Sequence, residues 1–255
     1  MKRPSLEQRI RIARNEGKLA CVPFITAGFP DEAAFCRAVV ELDANGADII
    51  EIGIPFSDPV ADGPVVEDAS RRVLEKGVTL AGTFAMLKDI APKLRAGLVF
   101  MGYYNPFLQY GLERLASDSA ALGVQGFIVP DLPLEEAGPM RSALCARGID
   151  LITLVGPNTD DARMAEYAKV AKGYVYVVSS LGTTGVRNAL PPEAEKTVAR
   201  ARKAFSLPIA LGFGISGADQ AAAMKEQPDA LVFGSALLRH LDMGGSAEEF
   251  MRSRF

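Results

Sequence analysis

LACVPFITAGFPDEAAFCRAVVELDANGADIIEIG, Leu19 to Gly53, is the stretch from which the fold can be read. It opens with a short apolar run, LACVPFI, and closes with another, DIIEIG. Both are apolar on neighbouring positions, as parallel strands covered on two faces are. Between them the period changes. Asp31 is placed to cap a helix whose apolar stripe is Phe35, Ala38, Val39 and Leu42, closed by Gly46. The segment therefore predicts strand, helix, strand.

The same unit recurs outward from there. Further apolar runs are GLVFMG from Gly97, GFIVPD from Gly126, DLITLV from Asp150, YVYVVS from Tyr174, LPIALG from Leu207 and DALVFG from Asp229. Pro191 and Pro192 can open a helix carrying Ala194, Val198 and Ala201 on one side, and Ser216 can cap another. Gly244-Gly245 predicts a break in the last helix. Eight strand–helix units in 255 residues predict an α/β fold, a single (β/α)8 TIM barrel with an extra N-terminal helix, over residues 1–255. An open doubly wound sheet also alternates strands and helices. Its dinucleotide-binding form would carry a GxGxxG turn after the first strand, and TAGFPDEA stands there instead.

Composition excludes several classes. Twenty-eight Lys and Arg against 31 Asp and Glu give a net charge of −3, without the basic surplus of a nucleic-acid binder. The longest charge-free run, Ala96 to Leu112, has 17 residues and contains Asn105, Pro106 and Gln109, too short and polar to span a bilayer. No apolar segment follows the basic start, so no secretory signal is expected and the reading is cytoplasmic. Three cysteines and one histidine, His240, do not make a disulfide framework or a zinc site.

In such barrels the chemistry sits in the loops after the strands. The richest is EIGIPFSDPVADGP, Glu51 to Pro64. Glu51 ends an apolar strand, where burial raises a carboxyl pKa and suits it to proton transfer. Asp58 and Asp62 follow in a loop stiffened by Pro55, Pro59 and Pro64. Asp62, with Asp58 nearby and more water, is expected to stay ionised. The alternatives are a structural ion pair for Glu51 and turn-capping roles for the aspartates. Three small-residue loops, SSLGTTG, GFGIS and FGSA, read as a phosphate cradle in which glycine-exposed amides face an anion, with tight βα turns as the alternative for these glycines.

No lysine ends a strand: Lys169, Lys172, Lys203 and Lys225 fall on helices or before strands, which disfavours a Schiff base. Carboxylate acid–base chemistry on a phosphorylated substrate remains. Phe24, Met101, Ile128, Leu154, Tyr176 and Phe213 supply an apolar lining that fits a flat aromatic moiety. Plain barrel packing is the alternative for these six.

CVPFITAGFP, EIGIPFSDPVADGP, MGYYNPF, PDLPLEE, SSLGTTG, GFGIS and FGSAL together resemble the tryptophan synthase α-subunit family, over essentially the whole chain. The resemblance implies cleavage of indole-3-glycerol phosphate into indole and glyceraldehyde 3-phosphate, without metal or cofactor. It implies Glu51 as the acid/base and Asp62 as the group facing the indole N–H. Phosphate would sit on Gly185, Gly214, Gly234 and Ser235, with Thr184 in a mobile lid. It further implies a pyridoxal-phosphate β subunit as partner in an α2β2 heterotetramer, contacting Pro55, Asp58, Asn105 and Pro133. Tyr103, Tyr104 and Phe107 would add an aromatic rim to that contact. Competing readings are a sugar-phosphate epimerase or isomerase, and a silent barrel that only activates a partner.

Overall fold

A computed structural model describes residues 3–178, 192–212 and 227–254. The eight apolar runs all become strands. They are β1 (Ala20–Thr26), β2 (Ile49–Gly53), β3 (Gly97–Met101), β4 (Val124–Ile128), the pair β5 (Asp150–Leu151) and β6 (Thr153–Val155), β7 (Val175–Val178), β8 (Ile209–Gly212) and β9 (Ala230–Phe233). Every pairing is parallel, in the order β5-β4-β3-β2-β1-β9-β8-β7-β6. The two ends of that order are consecutive pieces of one strand. Asp150 and Leu151 pair with β4, Thr153 to Val155 pair with β7, and the Ile152 amide between them donates to the Phe127 carbonyl at 2.8 Å. The sheet thus closes on itself through a break at Ile152.

Around it lie α1 (Leu6–Asn15), α2 (Glu32–Ala44), α3 (Pro64–Glu75), α4 (Leu80–Leu87), α5 (Tyr104–Tyr110), α6 (Leu112–Leu122), α7 (Gly138–Cys145), α8 (Asp161–Ala168), α9 (Pro192–Ala204), α10 (Ser235–Asp242) and α11 (Ala247–Arg254). Asp31 caps α2 through the Ala34 amide at 2.8 Å, and Phe35, Ala38, Val39 and Leu42 are its buried face. The long gap between the second and third strands holds both α3 and α4. Gly244, at φ +85°, separates α10 from α11 because few side chains tolerate that backbone. Ser216 and its expected helix lie outside the described residues.

Side chains alternate across the barrel wall, as the strand period requires. Val175, Val177, Ile209, Leu211 and Leu231 pack outward with Met164 of α8 and Ala194, Val198 and Ala201 of α9. Tyr174, Tyr176, Ala210, Ala230 and Val232 belong to the other core cluster. The N-terminal end of the barrel is plugged by α1, which starts with a capping box formed by Ser5 and Gln8. Leu6 lies so close to β3 and β4 that a Cβ at Gly97 or Gly126 would come within 2.9 or 2.8 Å of it. Arg14 of α1 and Arg202 of α9 meet the buried Asp229 carboxylate at 3.1 and 2.6 Å, tying both helices to the start of β9. The plugged end leaves the strands' C-terminal rim for chemistry.

Candidate active site

Glu51 sits in the middle of β2, in register with Phe24 of β1 and Val99 of β3, and is fully buried. The Tyr174 hydroxyl donates to Oε1 at 2.8 Å, while Oε2 has no hydrogen-bond partner among the described residues. Loss of hydration pushes the Glu51 carboxyl up to about 8, and the Tyr174 hydrogen bond only partly offsets it. At neutral pH the group holds its proton, so it is poised as an acid with one oxygen unengaged.

The loop after β2 runs back along the rim to α3. The Ile54 amide donates to the Met101 carbonyl at 2.7 Å, and the Asp62 amide to the Pro59 carbonyl at 3.0 Å. Gly63 is the N-cap of α3 and Pro64 its first residue, so the helix starts directly behind Asp62. The Ala61 amide donates to the Tyr103 hydroxyl at 2.9 Å, which sets that hydroxyl in the same pocket as the Asp62 carboxylate. Burial pushes Asp62 up to about 6, with the Tyr103 hydroxyl pulling down and Glu67 adding a small upward push. The expectation of a well-hydrated aspartate is corrected here. Asp62 is half-buried, ionised at neutral pH by a margin of about one unit rather than three.

A pocket brings Asp62 together with Phe24, Gly53, Met101, Tyr103 and Pro130. Phe24 fits only because its neighbours are glycines: a Cβ at Gly53 would stand 2.3 Å from its ring, and one at Gly234 2.8 Å. Ile128 is buried beside Met101 in the β3–β4 register. Tyr176 lies over Gly212, where a Cβ would meet its hydroxyl at 2.1 Å, and its phenol is pushed well up by burial beside Glu51 and Asp62. Leu154, though paired with Tyr176, borders a separate groove with Pro130, Pro133, Thr153 and Tyr167. Thr184, Gly185, Phe213 and Gly214 lie outside the described residues.

Past Phe24, at the end of the neighbouring strand β9, Gly234 is the N-cap of α10 without a side-chain cap, and Ser235 is its first residue. The first-turn amides of a helix have no intrahelical acceptor, and the helix dipole adds positive charge there. Both residues are half-buried at the rim. That end can hold an anion.

The rim expected to meet a partner is only partly exposed. Asp58, Asn105 and Pro133 face solvent, and Val60 is 81% exposed. Pro55 is buried, so the loop presents Ser57, Asp58 and Val60 instead. The expected aromatic rim is corrected as well. Tyr103 is 3% exposed and Phe107 fully buried, its ring edge-on to Phe127 at 5.2 Å. Both rings serve the interior because β3 ends at Met101 and the chain turns inward at once.

Two site residues escaped the reading of the sequence. Tyr174 stands two positions before Tyr176 on the same strand face, so period two could have found it. Tyr103 carried no such signal, since its role depends on a contact between two loops. No group of three or more His, Cys, Asp or Glu suited to a metal occurs among the described residues, and no helix there is long and apolar enough to cross a membrane.

Fold and site define a closed (β/α)8 barrel with a sealed, protonated carboxyl on its second strand and a second carboxylate facing the pocket at its rim. A family model described as Tryptophan synthase alpha chain matches residues 10–254. The tryptophan synthase alpha chains of Nitratidesulfovibrio vulgaris and Desulfovibrio desulfuricans are each 60% identical over 248 residues. They align with 97% and 96% of this chain, and 96% and 97% of their own lengths are covered. Among solved structures, one of Mycobacterium tuberculosis tryptophan synthase superposes with TM-score 0.89 at 32% identity, covering 99% of each chain. The alpha chain from Legionella pneumophila gives 0.84 at 28%, covering 98% of this chain and 93% of that one. The chain belongs to the tryptophan synthase alpha chain family.

Proposed function

We propose that this chain, as a single domain over residues 1–255, cleaves indole-3-glycerol phosphate to indole and glyceraldehyde 3-phosphate. This is the α reaction of tryptophan biosynthesis, a carbon–carbon lyase step run without a cofactor on this chain. The observation that carries it is Glu51, buried, protonated at neutral pH and offering an unengaged Oε2. A retro-aldol cleavage of this substrate needs a proton delivered to indole C3. Glu51 supplies it, and the resulting carboxylate takes the proton from the side-chain hydroxyl. The bond from C3 to the hydroxyl-bearing carbon then breaks, its electron pair restores the aromatic ring, and the aldehyde forms. The proton inventory of Glu51 closes over the cycle.

Asp62, still ionised at neutral pH, favours positive charge building on the indole N–H when C3 is protonated. Phe24, Met101, Ile128 and Tyr176 are the apolar residues we assign to the indole, and the family resemblance adds Phe213. The α10 N-terminus at Gly234 and Ser235 takes the phosphate, and the family resemblance adds Gly185, Gly214 and Thr184 to its binding. A pyridoxal-phosphate β subunit is the partner, in an α2β2 assembly, docking where Asp58, Asn105 and Pro133 are exposed beside Pro55. We place the reaction in the cytoplasm, with amino-acid biosynthesis. Indole release from indole-3-glycerol phosphate, measured with and without an added β subunit, tests the proposal, and absence of release in both sinks it.

A further inference from the structure

Tyr103 makes more contacts to the loop carrying Asp62 than burial of one side chain requires. Its hydroxyl accepts from the Ala61 amide at 2.9 Å and lines the same pocket as the Asp62 carboxylate, whose pKa it lowers. Its ring stacks on Phe56 at 5.3 Å between centroids, so it holds the same loop at both ends. Its own backbone is held from a third loop. The next amide, of Tyr104, donates to both Asp131 carboxylate oxygens at 2.9 and 3.1 Å. The phenol thereby links the loops after β2 and β3, and the Tyr104 amide links the loop after β3 to the one after β4.

We propose that Tyr103 is a positioning residue for Asp62. Its hydroxyl anchors the Ala61 amide, directly before Asp62, and so holds the Asp62 carboxylate at the pocket the two side chains share. Its ring, stacked on Phe56, ties that placement to the exposed Ser57–Val60 turn. The inference rests on the reading of Asp62 given above. A phenol fixed in this way spends no reorganisation when charge develops on the substrate, whereas an aspartate on an untethered loop would. The hydroxyl also favours the ionised form of Asp62 against burial. The other groups facing Asp62 are Glu67 of α3 and Tyr176 of β7, and Asp131 faces the phenol itself.

The test is the pH profile of indole release from indole-3-glycerol phosphate by the full chain with its β subunit. Tyr103→Phe keeps the ring and its stack but removes the hydroxyl. The expected result is a fall in kcat of about tenfold with KM little changed, and an acid limb moved up by about half a pH unit or more. Replacing Tyr103 by 3-fluorotyrosine, a stronger donor, moves the same limb down instead. A purely structural tyrosine would change the melting temperature and leave both limbs in place. If Tyr103→Phe does not fold, the fluorotyrosine variant decides, and an unmoved limb there overturns the proposal. Asp62→Asn separates the two failures. If it is nearly inactive while Tyr103→Phe matches the parent, only this proposal falls. If it keeps parental activity, the reading of Asp62 falls and this proposal with it.

Discussion

The Tyr174 hydroxyl reaches Glu51 Oε1 at 2.8 Å from 123 residues further along the chain. Both residues are fully buried, on β2 and at the entrance to β7. This one bond engages Oε1 and leaves Oε2 without a partner among the described residues. It also tempers a pKa that burial alone would raise further.

Replacing Glu51 by Gln keeps shape and the capacity to accept from Tyr174 but removes the transferable proton. Indole release should fall by at least ~10²-fold, with substrate-analogue affinity nearly intact. Turnover within a few-fold of the parent would remove Glu51 from the mechanism.

The same substitution should stabilise the fold. The folded carboxyl titrates near 8 and the free side chain near 4.5, so in between the unfolded state has released a proton that the folded state still holds. Stability therefore declines as pH rises through that window, by roughly 1.4 kcal/mol per unit. Glu51→Gln should be more stable than the parent at alkaline pH, by roughly 3–5 kcal/mol at about pH 9, and the two should converge at about pH 4. Parallel stability curves in urea at both pH values would contradict this.

Turnover should be bell-shaped, because Glu51 must hold its proton and Asp62 must have lost its own. The limbs should lie near 6 and near 8. Asp62→Asn should lower kcat and erase the acid limb. Tyr174→Phe should push the alkaline limb upward, since the lost hydrogen bond was lowering Glu51. A flat profile between those limbs and beyond them would refute the assignment of both carboxyls.

Phosphate affinity is better probed at Ser235 than at Gly234, where any side chain strikes Phe24. Ser235→Asp adds a carboxylate at the first position of α10, which the helix dipole tolerates. That charge should repel the substrate phosphate and raise KM about tenfold or more, with a smaller change in kcat. Unaltered inhibition by glycerol phosphate would exclude the α10 terminus from the cradle.

Gly53→Ala should cost roughly 1–3 kcal/mol, because its Cβ would lie 2.3 Å from the Phe24 ring. Phe24→Leu makes room for that methyl, so the double variant should be less destabilised than the sum of the singles. Additive losses in denaturant unfolding would mean that the ring moves aside freely.

The eight apolar runs, the Asp31 cap and the Gly244 break were legible locally, because strand and helix periods and positive-φ glycines are properties of short segments. Glu51 was legible too: a carboxyl inside an apolar strand is anomalous wherever the strand ends up. The sequence by itself thus determined the barrel, its working rim and the buried carboxyl that we propose moves the proton. What only the tertiary structure decided were contacts between segments far apart in the chain. Tyr174 selects one oxygen of Glu51, Tyr103 faces Asp62 instead of a partner, Pro55 is buried, and Leu154 borders a different groove. Asp62 looked hydrated in sequence because its neighbours there are polar. Its pKa depends instead on the water removed by Tyr103 and the loops packed around it, and desolvation is set by neighbours in space.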